Sequence, residues 1–412
     1  MTASTKQPLL TTLMRWFMFA MVLANIASNM FTILLPIYLT ELGASIGQVG
    51  LVFTLTSVVM FIMQIIGGWI SDSIGRLRAI AIGSIGGVIG YIAILLAPTW
   101  QWMLVALAVL RFPYALVGPS FGAFIAENSA EENRGRVFGV TDTIYQITGV
   151  LGPPMGGFLA GAYGFKLMLL VSAILYTIAA GLRIWMATTM RSPQDAPPQR
   201  LTTDSLRTSL KTMAGMLVGG GVITWILITD GVRDIAFRLS GELQPLYLEQ
   251  IAGLSFEQIG LLGSAFSGAM MITPMLSGRI SDRYGERVPI SIGFSLVFLG
   301  YLIFLSVYTY LGFVIAWMVF GIGVGLLSPA YMSLISKVVP QRMLGTFSGL
   351  FQSSIGLISL PGPWIGAQLW ERFNPRLPFY ITAVVSIITV IPTWLKFKLP
   401  DKSSETAPDP AN

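Results

Sequence analysis

Gly68-Trp69-Ile70-Ser71-Asp72-Ser73-Ile74-Gly75-Arg76-Leu77-Arg78 lies between two long apolar runs and returns as Gly278-Arg279-Ile280-Ser281-Asp282-Arg283-Tyr284-Gly285-Glu286-Arg287. Gly68 and Gly278, Asp72 and Asp282, and Gly75 and Gly285 each stand 210 residues apart. The echo runs on. Leu35-Pro36-Ile37-Tyr38-Leu39 answers Gln244-Pro245-Leu246-Tyr247-Leu248, Gln48-Val49-Gly50-Leu51 answers Gln258-Ile259-Gly260-Leu261, and Gly152-Pro153 answers Gly362-Pro363. The chain is two copies of one unit.

Its 412 residues are 54% hydrophobic and 11% charged, with a mean hydropathy of +0.73. A soluble chain carries about a quarter charged residues, so this much apolar surface calls for a bilayer. Without cysteine there are no disulfides and no thiolate metal sites, and without histidine any proton coupling falls to carboxylates. No metal and no cofactor are expected. A membrane enzyme would need a metal cluster or an activated nucleophile, and no such motif is present.

Apolar runs of about twenty residues are long enough to span a membrane. They cover Leu13 to Tyr38, Ile46 to Ile70, Ala79 to Ala97, Trp102 to Ala126, Val137 to Ala162 and Phe165 to Thr189 in the first copy. The second copy gives Met216 to Tyr247, Phe256 to Leu276, Pro289 to Tyr308, Leu311 to Ser336, Leu344 to Leu369 and Pro378 to Phe397. The expectation is an all-α integral membrane protein of twelve helices in two six-helix bundles, 13–189 and 216–398. A leader at 1–12, a linker at 190–215 and a disordered tail at 399–412 complete it. With both termini in the cytoplasm, inner segments hold eighteen Lys and Arg while outer loops hold only Lys166, Arg372 and Arg376. The positive-inside rule then sets the orientation in a cell inner membrane, and the +6 net charge faces headgroups rather than nucleic acid.

In the loop that opens this reading, Gly68 and Gly75 permit close backbone approach. Asp72 can cap a helix start or meet its positive end, and Arg76 can pair with an acid on a neighbouring helix. Glu127, at the end of the fourth run, is a partner for Arg76 or Arg78. The loop resembles the signature cytoplasmic loop of the major facilitator superfamily: Gly, three residues, Asp, a basic residue, one residue, Gly, then basic residues. Gly68, Asp72, Gly75 and Arg76 match it, while Ser73, Leu77 and, in the second copy, Glu286 depart from it. The resemblance implies a cytoplasmic gate of Gly68, Asp72, Gly75, Arg76, Glu127, Gly278, Asp282, Arg283 and Gly285, with a thinner salt network than is usual in that family.

Charges within the spans carry the functional reading, because an ion at the bilayer centre costs at least about 2.5 kcal/mol unless paired or wetted. Arg111 falls mid-way along the fourth span, either as a structural ion pair or for substrate or proton coupling. The superfamily's proton-coupled exporters carry an Arg there followed by Gly four residues on, where this chain has Ala115. Asn25, Ser28 and Asn29 share one face of the first helix and either bond neighbouring helices or line a cavity. In the fifth span, Gly139, Gly152, Pro153, Gly156 and Gly157 fit the superfamily's antiporter signature, although Thr148 replaces one of its glycines. Glycines at such spacing pack helices tightly, but the second copy has Gly362-Pro363-Trp364-Ile365-Gly366, so plain packing explains them as well.

The seventh span carries Asp230-Gly231-Val232-Arg233-Asp234-Ile235-Ala236-Phe237-Arg238. Spacings of three and four place Asp230, Arg233, Asp234 and Arg238 on one contact ladder. It serves either as a static lock or as the coupling site, with Asp234 or Asp230 exchanging a proton and the arginines modulating it or holding an anionic group. Glu242 and Glu249, further along, are expected to be solvated. The resemblance implies a monomeric secondary transporter in the bilayer that exchanges a small amphipathic substrate for protons, similar to the drug:proton antiporters. Symport or facilitated uptake of an organic anion is the alternative, and a channel or a non-transporting receptor remains.

Overall fold

A computed structural model describes residues 10–129, 133–189, 222–339 and 355–398, with only the backbone course described for 64–69, 71–73, 119 and 123. The expected linker, the tail and all but the last three residues of the leader lie outside these stretches. The described residues are helical, with no strand among them. The first half comprises α1 (Thr12–Thr32), α2 (Leu35–Glu41), α3 (Ile46–Ile74), α4 (Arg76–Leu96), α5 (Trp100–Glu127), α6 (Arg134–Tyr163) and α7 (Phe165–Thr189). The second comprises α8 (Val222–Gly241), α9 (Gln244–Gln250), α10 (Phe256–Tyr284), α11 (Arg287–Ser306), α12 (Tyr310–Val338), a helical stretch at 355–359, α13 (Gly362–Arg372) and α14 (Leu377–Lys396).

Counting α1 with α2, α8 with α9, and 355–359 with α13, these make twelve crossing units. Among the described residues, nine helices are long and apolar enough to cross a membrane by composition alone. The other three units have local reasons for falling short: α6 carries charged residues and two prolines, α8 carries four ions, and α13 is described over only 11 residues. Large apolar side chains such as Ile89, Ile272 and Leu395 stand 56%, 78% and 67% exposed on the protein surface. Such an exterior suits lipid.

The repeat is physical as well as textual. Both α3 and α10 are 29 residues long and start at a reciprocal Ser–Gln cap. The Ser45 and Ser255 backbone N–H groups donate to Gln48 Oε1 at 2.9 Å and Gln258 Oε1 at 3.0 Å, while the Gln48 and Gln258 N–H groups donate back to the serine hydroxyls. Both helices end at a glycine in the left-handed region, Gly75 at φ 90° and Gly285 at φ 82°. Only glycine takes that turn without strain, and it reverses the chain into α4 and α11.

The first and seventh spans, read from sequence as continuous, are each broken. Pro36 and Pro245 sit in the first turns of α2 and α9. Proline has no N–H to bond the preceding turn, so the helix stops and restarts there. Within the first half α1 packs on α6 and α7, and α4 on α5 and α7; within the second, α8 packs on α13 and α14, and α12 on α10 and α11. The halves meet along α3 against α13 and α6 against α10.

Candidate functional site

The seam between the halves is tight near α2 and α9. The Gly47 N–H donates to Glu371 Oε1 at 2.7 Å, the Trp364 N–H to Thr54 Oγ1 at 3.2 Å, and the Ser264 hydroxyl to the Val150 carbonyl at 2.6 Å. A Cβ placed on Gly50 would strike the Pro363 carbonyl, one on Gly157 the Phe256 carbonyl, and one on Gly260 the Pro153 carbonyl. Gly152 and Gly156 bring α6 against Asn29 and Met30 of α1 in the same way. The glycine run of the fifth span therefore does what its spacing suggests: Gly152 and Gly156 pack within the first half, while Gly157 and the Pro153 carbonyl pack across the seam.

At the opposite end of the molecule the glycines stand clear. A Cβ on Gly118, Gly139, Gly268, Gly278 or Gly285 would meet nothing within 4 Å. Among the described residues, the gate pairs form inside each half. Arg76 Nε lies 3.2 Å from Glu127 Oε1, one of the two pairings expected for Glu127. Glu286, which departs from the sequence signature, is 3% exposed and forms an ion pair with Lys337 while accepting the Ser333 hydroxyl at 2.9 Å. Position 286 repeats position 76 and position 337 repeats position 127, each 210 residues on, so the second half carries the same bridge with its charges exchanged. Asp282 and Arg283 are exposed, with the Arg283 guanidinium 5.2 Å over the Tyr284 ring. Gly68 and Asp72 lie where only the backbone is described.

Below the tight seam is a cavity of about 250 Å³, lined by Asn29, Thr32, Ile33, Pro36 and Pro153 of the first half and by Gly241, Glu242, Gln244, Pro245, Leu248 and Trp317 of the second. Asn29 donates to Thr148 Oγ1 at 3.4 Å and also faces this space. Asn25 bonds neither a neighbouring helix nor the cavity: its amide donates to the Met21 carbonyl one turn back in α1, at 3.0 Å. One turn beyond Arg111 on α5, the Tyr114 hydroxyl donates to Ser28 Oγ at 2.7 Å.

Arg111 is half-buried and makes no ion pair among the described residues. Its Nη1 comes no closer than 4.0 Å to Met60 Sδ, and its buried Nε has no partner. A half-buried cation held this way can take a counter-charge.

The charged segment of α8 is two pairs rather than one ladder. Asp230 is 5% exposed; its Oδ1 lies 2.5 Å from Arg233 Nη2, and the Arg233 guanidinium stands 5.4 Å over the Tyr331 ring. That pair is folded into the second half against α12. Asp234 accepts Arg238 Nε at 3.0 Å and the Ser359 hydroxyl at 2.5 Å, with side chains 26% and 35% exposed. Three and four residues place groups on neighbouring turns, but helix rotation against α12 separates a buried pair from an accessible one.

Glu242 corrects the sequence reading most. Expected to be solvated, it lies in the break between α8 and α9, half-buried in the cavity wall, within the electrostatic reach of Arg111 and Arg238. The signal was present: it follows α8 directly and precedes Pro245, the counterpart of the proline that breaks the first helix. Arg183 on α7 was also passed over. It is 5% exposed, inside the first half, and donates to Ser84 Oγ at 3.3 Å. Nothing in its flanking sequence distinguishes it from a residue at the headgroup level.

A family model described as "Major Facilitator Superfamily" matches residues 17–232 and 232–411. The chain is 25% identical over 88% of its length to the "Multi-drug resistance efflux pump PmrA homolog" of Lactococcus lactis subsp. lactis, covering 89% of that protein. It is 24% identical over 89% of its length to the "Multidrug resistance protein MdtG" of Proteus mirabilis, covering 91% of it. Among solved structures it resembles the nucleoside transporter NupG, with a TM-score of 0.79 at 14% identity, covering 94% of this chain and all of that one. It also resembles a peptide transporter POT in complex with sulfate, with a TM-score of 0.71 at 16% identity over 92% of each chain. The paired six-helix halves, the repeated glycine-turn loops and the two-part family match agree: this chain is a multi-pass membrane transporter and belongs to the Major Facilitator Superfamily.

Proposed function

We propose that the protein exports small amphipathic molecules in exchange for protons, by rocking its two halves about the cavity beneath the α2/α9 seam. Both termini lie in the cytoplasm, so that seam is the outer gate and the Arg76 and Glu286 loops face inward. The asymmetry of eighteen inner against three outer basic residues supports this orientation. The conformation described is then closed to the outside. Export is supported by one relative named a multi-drug resistance efflux pump and another named a multidrug resistance protein, both covered over almost their whole length.

The observation that carries the reading is Arg111, a cation within a membrane span that has no ion pair among the described residues. Insertion of such a group is costly, and a purely structural role would show a partner. Its field instead reaches Glu242 across the cleft. A substrate or proton that alters the charge there changes the relative stability of the two tilts, which is what coupling requires. The mixed lining, with Trp317, Ile33 and Leu248 beside Asn29 and Gln244, suits an amphipathic guest.

The test is ethidium movement into inverted membrane vesicles under an imposed proton gradient. Wild-type protein should accumulate the dye and Arg111→Ala should not. Movement of an organic anion in the opposite direction, with no pH-driven dye accumulation, would support the uptake reading.

A further inference from the structure

We infer that Glu242, and neither aspartate of the charged α8 segment, is the residue that carries the coupling proton. This rests on the proton-coupled reading above and names its site.

Few of the described carboxylates are free to exchange a proton with the cleft. Asp230 is enclosed in the second half and bound to Arg233. Asp234 holds both Arg238 and the Ser359 hydroxyl, so removing its charge breaks two contacts that brace α8 on the neighbouring segment. Glu127 is held by Arg76, and Asp142 is exposed on α6, outside the cavity lining. Glu242 alone among the titratable described residues lines the cavity, and it makes no hydrogen bond or ion pair there.

Its charged neighbours are few. Arg111 approaches from α5 and Arg238 from α8, while the facing positions on α1, α6 and α12 are Asn29, Pro153 and Trp317, none of which titrates. The two guanidinium groups favour the ionised form against the burial that opposes it; when the halves tilt and Arg111, the one carried by the opposite half, withdraws, the balance moves toward the neutral form. The carboxylate then takes one proton from the open side and returns it to the other, with no other bond made or broken.

The position links this charge to the gate. Glu242 stands where α8 stops, and the cavity it lines is roofed by Pro36, Pro245 and Leu248 of α2 and α9, helices that pack on each other across the seam. A change of charge at this break acts on the segment that must move to open the outer face.

The test uses full-length protein in proteoliposomes, with ethidium as the probe. Glu242→Gln should lose pH-driven accumulation down to the level of empty liposomes while keeping ethidium counterflow in the absence of a gradient. Asp142→Asn, exposed on α6 and outside the cavity lining, should retain both. In purified protein, infrared pH titration should show a protonated-carboxyl band that is missing from Glu242→Gln, at a melting temperature matching wild type. This second measurement decides the matter if the variant loses counterflow as well: loss of the band supports the assignment, and an unchanged band overturns it. Retained pH-driven accumulation in Glu242→Gln overturns this inference and leaves the exporter reading standing. Wild-type protein that ignores the gradient overturns both.

Discussion

Replacing Lys337 by Ala strands a carboxylate in the second half. Glu286 is 3% exposed and keeps a backbone N–H and the Ser333 hydroxyl, but no counter-ion, once Lys337 is gone. Breaking a fully buried pair costs about 3–5 kcal/mol, whereas an exposed pair is worth at most about 1 kcal/mol. The Lys337 side chain is 48% exposed, so water and salt screen part of the interaction. A loss near 2 kcal/mol is the reasonable middle. At about 2–4 °C per kcal/mol for a unit of this size, the melting temperature should fall by about 4–8 °C at pH 7.

The pH dependence has a definite sign. Burial pushes the Glu286 carboxyl up, but the hydrogen bonds from Lys337, the backbone and Ser333 outweigh it and hold the group below its ordinary value of 4.5. A lowered folded-state pKa contributes stability above the unfolded value and loses it as pH falls through the folded one. The gap between wild type and Lys337→Ala should therefore be full at pH 7 and shrink below about pH 4.5. The repeat supplies a rescue. Glu286→Arg combined with Lys337→Glu rebuilds the polarity of Arg76 and Glu127 and should recover at least half of the loss in a double-mutant cycle. Equal melting temperatures for wild type and Lys337→Ala at pH 7, or a double variant worse than the sum of its parts, would refute the reasoning.

Asp230→Asn should lower stability by about 2 kcal/mol, because it leaves Arg233, half-buried against the Tyr331 ring, without its counter-ion, and the loss should appear in thermal denaturation before any transport defect is measured in the folded fraction. Arg111→Ala should do the reverse, abolishing dye export while leaving the melting temperature unchanged or slightly raised, since the half-buried cation removed has no ion pair among the described residues. Gly260→Val forces a side chain against the Pro153 carbonyl and should part the outer seam, so that a cysteine at Thr54 gains reactivity toward an impermeant thiol reagent added from outside. Unchanged labelling would show that this contact does not hold the gate.

The fold was legible because its signals are local and repeated. Spans of about twenty apolar residues and the glycine-bearing loops ending at 75 and 285 are readable locally, and a second copy 210 residues on repeats them; the Ser–Gln caps at 45–48 and 255–258 were equally local but emerged only from the structure. The two helix breaks were half legible: Pro36 and Pro245 were noted as repeated, but a proline marks a kink or a stop depending on what packs beside it. The site was less so. Spacing placed Asp230, Arg233, Asp234 and Arg238 on one helix flank, yet rotation against α12 decides which pair is enclosed. Glu242 and Arg183 show the same limit from opposite sides, since one charge near a helix end faces the cleft and the other is swallowed by its own bundle. Glu286 looked like a departure from a loop signature only because its partner, Lys337, lies a full helix pair away.

The rocking mechanism is tested most directly by spin-label distances in one protein reconstituted in lipid, with one pair at Ser45 and Arg372 across the outer seam and another at Arg78 and Arg279 across the inner loops. As pH is lowered and ethidium added, the outer distance should lengthen as the inner one shortens, the two populations changing in inverse proportion, with Glu242→Gln locked to one distribution at every pH. Inner and outer distances that stay fixed under all these conditions, or that widen together, would contradict an alternating cleft between two rigid halves.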